Sequence, residues 1–140
     1  MKEDAWIAAI RRWTAGRGRA DVIAGIGDDC AILRLPAGQD LLVTTDQLVE
    51  GVHFRRGWLT ARQTGWKTLA RGLSDIAAMG GEARHALVSL ALPAWADERW
   101  TKGFYRGVAE LAEKWDVAIV GGDLTRGRLF AADIVVLGSA

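Results

Sequence analysis

Aspartates set where apolar runs break carry most of the chemistry this sequence can do. Four short segments hold them: Gly27-Asp28-Asp29, Thr44-Thr45-Asp46, Ser74-Asp75 and Gly121-Gly122-Asp123. A carboxylate at the end of a buried element is costly unless something neutralises it, and divalent cations carrying phosphates would do so. Magnesium takes oxygen ligands and usually combines one or two carboxylates with water and substrate phosphates. Nucleotide-dependent phosphoryl transfer needs such ions to bridge the phosphates and neutralise developing charge. Thr44 and Thr45 add hydroxyl or carbonyl oxygens beside Asp46. Gly121 and Gly122 let backbone approach a phosphate closely and offer N–H donors.

Each segment alone has a plain structural reading. Asp-Asp after glycine also makes a turn, and Asp75 falls within a helical pattern where a solvent-facing carboxylate is ordinary. Gly-Gly-Asp after a strand is either a turn or a phosphate loop. His53, in a glycine-containing loop near Asp46, is either a ligand contact or a structural residue, and His85 beside a strand reads as structural. Cys30 follows two aspartates, which disfavour a thiolate, so it reads as a buried structural thiol rather than a nucleophile. There is no GxxxxGK[ST] loop and no protein-kinase signature set, so a nucleotide enzyme built on this chain uses another design.

Alternating strands and helices must position these residues. A first helix, capped by Asp4, puts Trp6, Ile10 and Trp13 on one face and ends at Gly16-Arg17-Gly18. Val22 to Gly27 is a short apolar segment. Ala31 to Leu35 and Leu41 to Thr45 read as two strands joined by the Pro36-Ala37-Gly38 turn, with 47–53 looping away. Thr60 begins the clearest helix, stopped by Gly80-Gly81, with Gly72 as its weak interior position. A strand over 86–92, a helix over 97–115 and strands over 117–120 and 134–137 complete the order. The expected fold is α+β, a mixed sheet with helices on one face. The strands carry little polar alternation, which predicts that the other face is covered by a partner subunit or a further domain.

The chain has 140 residues, half of them apolar, and a formal net charge of +1. That is one domain's worth of core, without the cationic surplus that nonspecific nucleic-acid binding requires. Arg11, Arg12, Arg17 and Arg19 lie close together and read first as a solvated helix end. The lone cysteine and the absence of an apolar leader or a bilayer-length apolar run predict a cytoplasmic protein with no membrane partner. Of seven tryptophans, Trp58 in the Arg55-Arg56-Gly57-Trp58 loop is the one expected to be exposed.

The segments 25–31, 44–54, 73–80 and 121–127 resemble thiamine-monophosphate kinase in residues, order and spacing. That family sits in the wider group of aminoimidazole-ribonucleotide and selenophosphate synthetases. The resemblance implies ATP-dependent transfer of the γ-phosphate to thiamine monophosphate. It implies several magnesium ions on Asp29, Thr44, Thr45, Asp46, Asp75 and Asp123, nucleotide at Tyr105, Gly122 and Asp123, and thiamine substrate at His53. It also implies a homodimer in which two such sheets close into a barrel. Two positions depart from the family pattern: Gly72 stands where Asn is common, and Leu124 where Thr is usual. The family's chains carry a second, C-terminal domain, so residues 1–140 are expected to be the N-terminal domain alone, with little or no kinase activity by itself.

Overall fold

The computed structural model describes residues 2–140. Helix α1 spans Glu3–Trp13, followed by the short strands β1 (Val22–Ala24) and β2 (Ile32–Leu33) and the longer β3 (Leu41–Val49). Helix α2 (Ala61–Ala78), β4 (Glu82–Leu92), α3 (Glu98–Lys114), β5 (Ala118–Arg126) and β6 (Ala131–Ser139) complete the chain. The main sheet runs β3-β6-β4-β5, with β4 and β5 parallel and the other pairs antiparallel. This is the expected mixed sheet, and α2 and α3 pack together across one of its faces.

The two long helices form for local reasons. Thr60 caps α2 by accepting from the Gln63 N–H at 3.1 Å, while the Gln63 side chain accepts from the Thr60 N–H at 2.9 Å. Asp97 caps α3 through the Trp100 N–H at 2.8 Å. Their apolar stripes meet alternate residues of the central strands. Leu69, Ile76, Phe104, Val108 and Leu111 are buried with Ala86, Val88, Leu90, Ile134 and Val136. Gly65 and Gly107 bring the helices together: a Cβ on either would overlap the other helix's backbone, at Phe104 and Arg62 respectively. Gly72, weak by propensity, faces β6 so closely that a Cβ would overlap the Val136 side chain. Tight helix–sheet packing explains that glycine.

Several sequence expectations are corrected. Asp4 does not cap α1; Lys2 holds the cap position without a side-chain bond, and Asp4 lies in the first turn. The hairpin expected between 31–35 and 41–45 does not form. β2 pairs with β1, while β3 pairs along its whole length with β6 from the far end of the chain. β3 continues through Val49, so 47–49 is strand rather than loop. β5 does not stop at Gly121 but runs through Arg126, past a bulge where Ala86 and Leu87 oppose Ile119 and Gly121. Cys30 is exposed, not buried. Trp58 is exposed as expected, but so are Trp66 and Trp115, which the helical stripes had placed in the core.

A part-buried ionic cluster ties the N-terminal segment to the sheet. Arg19 donates from Nε to Asp21 Oδ1 at 2.9 Å and from Nη2 to Oδ2 at 3.1 Å. It also donates to the Asp116 carbonyl and carboxylate in the turn between α3 and β5. His85, buried on β4, has Nε2 3.2 Å from Asp21 Oδ1, off the line of a good hydrogen bond. The structural reading of His85 is therefore right.

The second face of the sheet is open. Leu41 and Val43 are 46% and 60% exposed, and Val135, Leu137 and Leu87 beside them are half-buried. Among the described residues no helix is long and apolar enough to cross a membrane.

Candidate functional site

Sheet register decides which aspartates can meet. Along β3 successive side chains point to opposite faces, so Thr44 and Asp46 turn toward the helix layer while Thr45 turns to the open face. On the helix side, Thr44 Oγ1 donates to Asp75 Oδ2 at 2.8 Å, joining two of the four segments across α2 and β3. Asp46 is held by Arg71, which donates from Nη2 to Oδ1 at 2.8 Å and from Nε to Oδ2 at 3.1 Å. That guanidinium holds the Asp46 carboxyl below the usual carboxylate range, against the opposing effect of burial.

On the open face the residues form a row. Gln47, Asp133, Ser89 and Asp123 are consecutive register partners across β3, β6, β4 and β5. Asp133 accepts from Thr45 Oγ1 at 2.8 Å and from Gln47 Nε2 at 3.4 Å. A small cavity of about 190 Å³ opens over this row.

Asp123 also borders a larger cavity, of about 460 Å³, between the β5 edge, α1 and the loop before β2. Asp28, Asp29, Tyr105, Gly121 and Gly122 line it as well. Three of the predicted positions, Asp29, Tyr105 and Gly122, thus converge on Asp123. Asp28 turns its Oδ1 back to the Asp29 N–H at 2.9 Å, leaving the exposed Asp29 side chain to solvent. Gly122 adopts φ of +152°, and a Cβ there would overlap the Val88 carbonyl. Its glycine is required by strand pairing at the cavity wall. Tyr105 is buried, and burial pushes its phenol well above the ordinary value, so it is a neutral wall rather than an acid–base group.

His53 stands in the turn after β3, where Nδ1 accepts from the Val49 N–H at 2.9 Å. That bond fixes the ring and leaves Nε2 as the atom free to reach a ligand. Asp133 and Arg71 escaped the sequence reading. Asp133 interrupts an apolar run, which was a usable signal. Arg71 stands one helical turn before Asp75, but only the register of β3 against α2 reveals its partner.

Among the described residues no three His, Cys, Asp or Glu side chains are gathered as a ready metal-holding cluster. In donor chemistry the residues do fit magnesium: they are hard oxygens, and Asp29, Asp75 and Asp123 are exposed, with no ion pair among the described residues. Asp46 differs, because a guanidinium already covers both of its oxygens.

Residues 27–140 match the family AIR synthase related protein, N-terminal domain. This chain belongs to that family. Within it, the chain is 42% identical over 111 residues to the thiamine-monophosphate kinase of Escherichia coli K12, covering 79% of this chain and 34% of that protein. The crystal structure of thiamine-monophosphate kinase from Stenotrophomonas maltophilia K279a superposes with a TM-score of 0.83 at 42% identity, over all of this chain and 43% of that one. A structure of AaThiL complexed with AMPPCP and TMP superposes with a TM-score of 0.71 at 31% identity, over 99% of this chain and 42% of that one. The resemblance read from the aspartate segments is borne out. The chain spans about a third of the length of the curated relatives it matches.

Proposed function

We propose that this chain is the magnesium- and nucleotide-binding N-terminal part of a thiamine-monophosphate kinase, which passes the γ-phosphate of ATP to thiamine monophosphate and yields thiamine diphosphate. The observation that carries this reading is the meeting of Asp29, Tyr105, Gly122 and Asp123 around one open cavity. The identity to proteins of that name, and the AMPPCP and TMP bound by one of them, support it.

The acceptor in this reaction is a phosphate oxygen, ionised at neutral pH, so no strong general base is needed. That suits the side chains available: His85 is buried against Asp21, and His53 spends Nδ1 on the backbone. Positioning and charge neutralisation then account for the catalysis. Two groups of oxygens would hold magnesium: Asp29 and Asp123 at the cavity, with Thr45 on the same open face, and Thr44 and Asp75 on the helix side, with Asp46 once freed. Bound there, magnesium would supply the positive charge that neutralises the substrates' phosphates. Gly122 and the β5 bulge bring backbone to the nucleotide phosphates, Tyr105 closes the cavity floor, and His53 Nε2 meets the thiamine substrate.

The open apolar sheet face pairs with a second copy, giving a homodimer. The chain is one domain of a longer catalytic unit and works in the cytoplasm. Calorimetric titration with magnesium and a non-hydrolysable ATP analogue tests the site: binding must need magnesium and be lost in Asp123→Asn. Magnesium-independent binding, or full affinity in that variant, would refute the assignment.

A further inference from the structure

Asp46 stands apart from the other aspartates of the four segments. Among the described residues it is the one held in an ion pair, and the pair is a full fork: Arg71 Nη2 to Oδ1 at 2.8 Å and Nε to Oδ2 at 3.1 Å. Oδ1 also accepts the Gln47 N–H at 2.8 Å. Asp75, by contrast, gives Oδ2 to a neutral hydroxyl, and Asp123 lies open to solvent. The side chains of Arg71 and Asp46 keep 31% and 27% exposure, so a solute can reach the pair. A planar guanidinium matches carboxylate and phosphate equally well.

We infer that Arg71 is a resident counter-ion that couples cation entry at Asp46 to the arrival of phosphate. This rests on reading the aspartate segments as a magnesium–phosphate site. A free divalent ion must strip the guanidinium from at least one Asp46 oxygen, leaving Arg71 unpaired beside a second cation. An ion that arrives with a polyphosphate brings an anionic partner for the displaced fork. The site therefore disfavours bare metal and favours metal–nucleotide. The same residue both guards the carboxylate and, once released, grips a phosphate oxygen.

The test compares wild type with Arg71→Met, which keeps the apolar stem without the charge, in calorimetric titrations with manganese alone and with manganese plus a non-hydrolysable ATP analogue. A unit charge about 5 Å from a divalent ion opposes it by roughly tenfold in affinity even at water-like dielectric. Manganese alone should therefore bind Arg71→Met about tenfold tighter than wild type, while metal–nucleotide affinity stays level or falls. Arg71→Gln, neutral but still polar, should behave alike and substitutes if the Met variant fails to fold. In an Asp46→Asn background the Arg71 effect should vanish. Equal or weaker manganese binding in folded Arg71 variants overturns the proposal. If Asp75→Asn still abolishes manganese binding in that case, only the role of Arg71 falls. If no variant binds metal at millimolar concentration, the magnesium–phosphate reading falls with it.

Discussion

Replacing Asp21 by Asn should cost this fold about 2–3 kcal/mol at neutral pH, and the cost should fade in acid. Asp21 receives two guanidinium bonds from Arg19 at 2.9 and 3.1 Å, and Arg84 Nη1 stands 3.4 Å from Oδ2. The side chains of Arg19 and Asp21 are only 11% and 16% exposed, so solvent screens the pair little. Asn keeps one acceptor but not the charge, which leaves Arg19 and Arg84 partly uncompensated. At about 3–4 °C per kcal/mol for a chain of this size, the melting temperature should drop by roughly 6–12 °C. The Arg19 hydrogen bonds hold the Asp21 carboxyl far below the usual carboxylate range, against the opposing effect of burial. A carboxyl lowered in the folded state stabilises fully above its unfolded pKa, near 4, and loses that stabilisation as pH falls toward its folded value. Thermal unfolding by circular dichroism from pH 7 to pH 2 should show a constant gap between the proteins above about pH 5. Below about pH 4 the gap should narrow. Melting temperatures within about 1 °C of each other at pH 7, where a surface change would leave them, would show that Asp21 does not stabilise the fold. A gap that persists undiminished into strong acid would show that its charge is not the cause.

Gly72→Asn should destabilise by about 1–3 kcal/mol through overlap with Val136, and Val136→Ala should recover part of that in the double variant. Gly107→Ala should cost at least about 2 kcal/mol in urea unfolding, because its methyl group would meet the Arg62 backbone across the α2–α3 contact. Asp123→Asn should abolish magnesium-dependent nucleotide binding while leaving the melting temperature within about 2 °C of wild type, since the residue is exposed. Val43→Glu, on the open sheet face, should turn a dimer into a monomer in sedimentation velocity without unfolding it.

Local chemistry made the helices readable. Thr60 with Gln63, and Asp97 before Trp100, are capping patterns visible in one dimension, and the apolar stripes between them have helical spacing. The strands were harder because their partners are distant. Nothing near Leu41 says that its partner is Ser139, so proximity suggested a hairpin with 31–35 that β6 pre-empts. The site shows the same division. The aspartate segments and Gly122 announced themselves by residue type, and four of the predicted residues do share a cavity. The face each side chain takes was not legible. Thr45 meets Asp133 across 88 positions and Arg71 meets Asp46 across 25, and both pairings exist only once register and helix placement are fixed. Gly72 read as a weakness because its reason lies in β6.

Product analysis decides whether this protein phosphorylates thiamine monophosphate. The polypeptide as its gene encodes it should be incubated with γ-labelled ATP, magnesium and thiamine monophosphate. Labelled thiamine diphosphate should form, only with magnesium, and be lost in Asp123→Asn. No label in thiamine diphosphate, with turnover of a different acceptor under the same conditions, would contradict that activity.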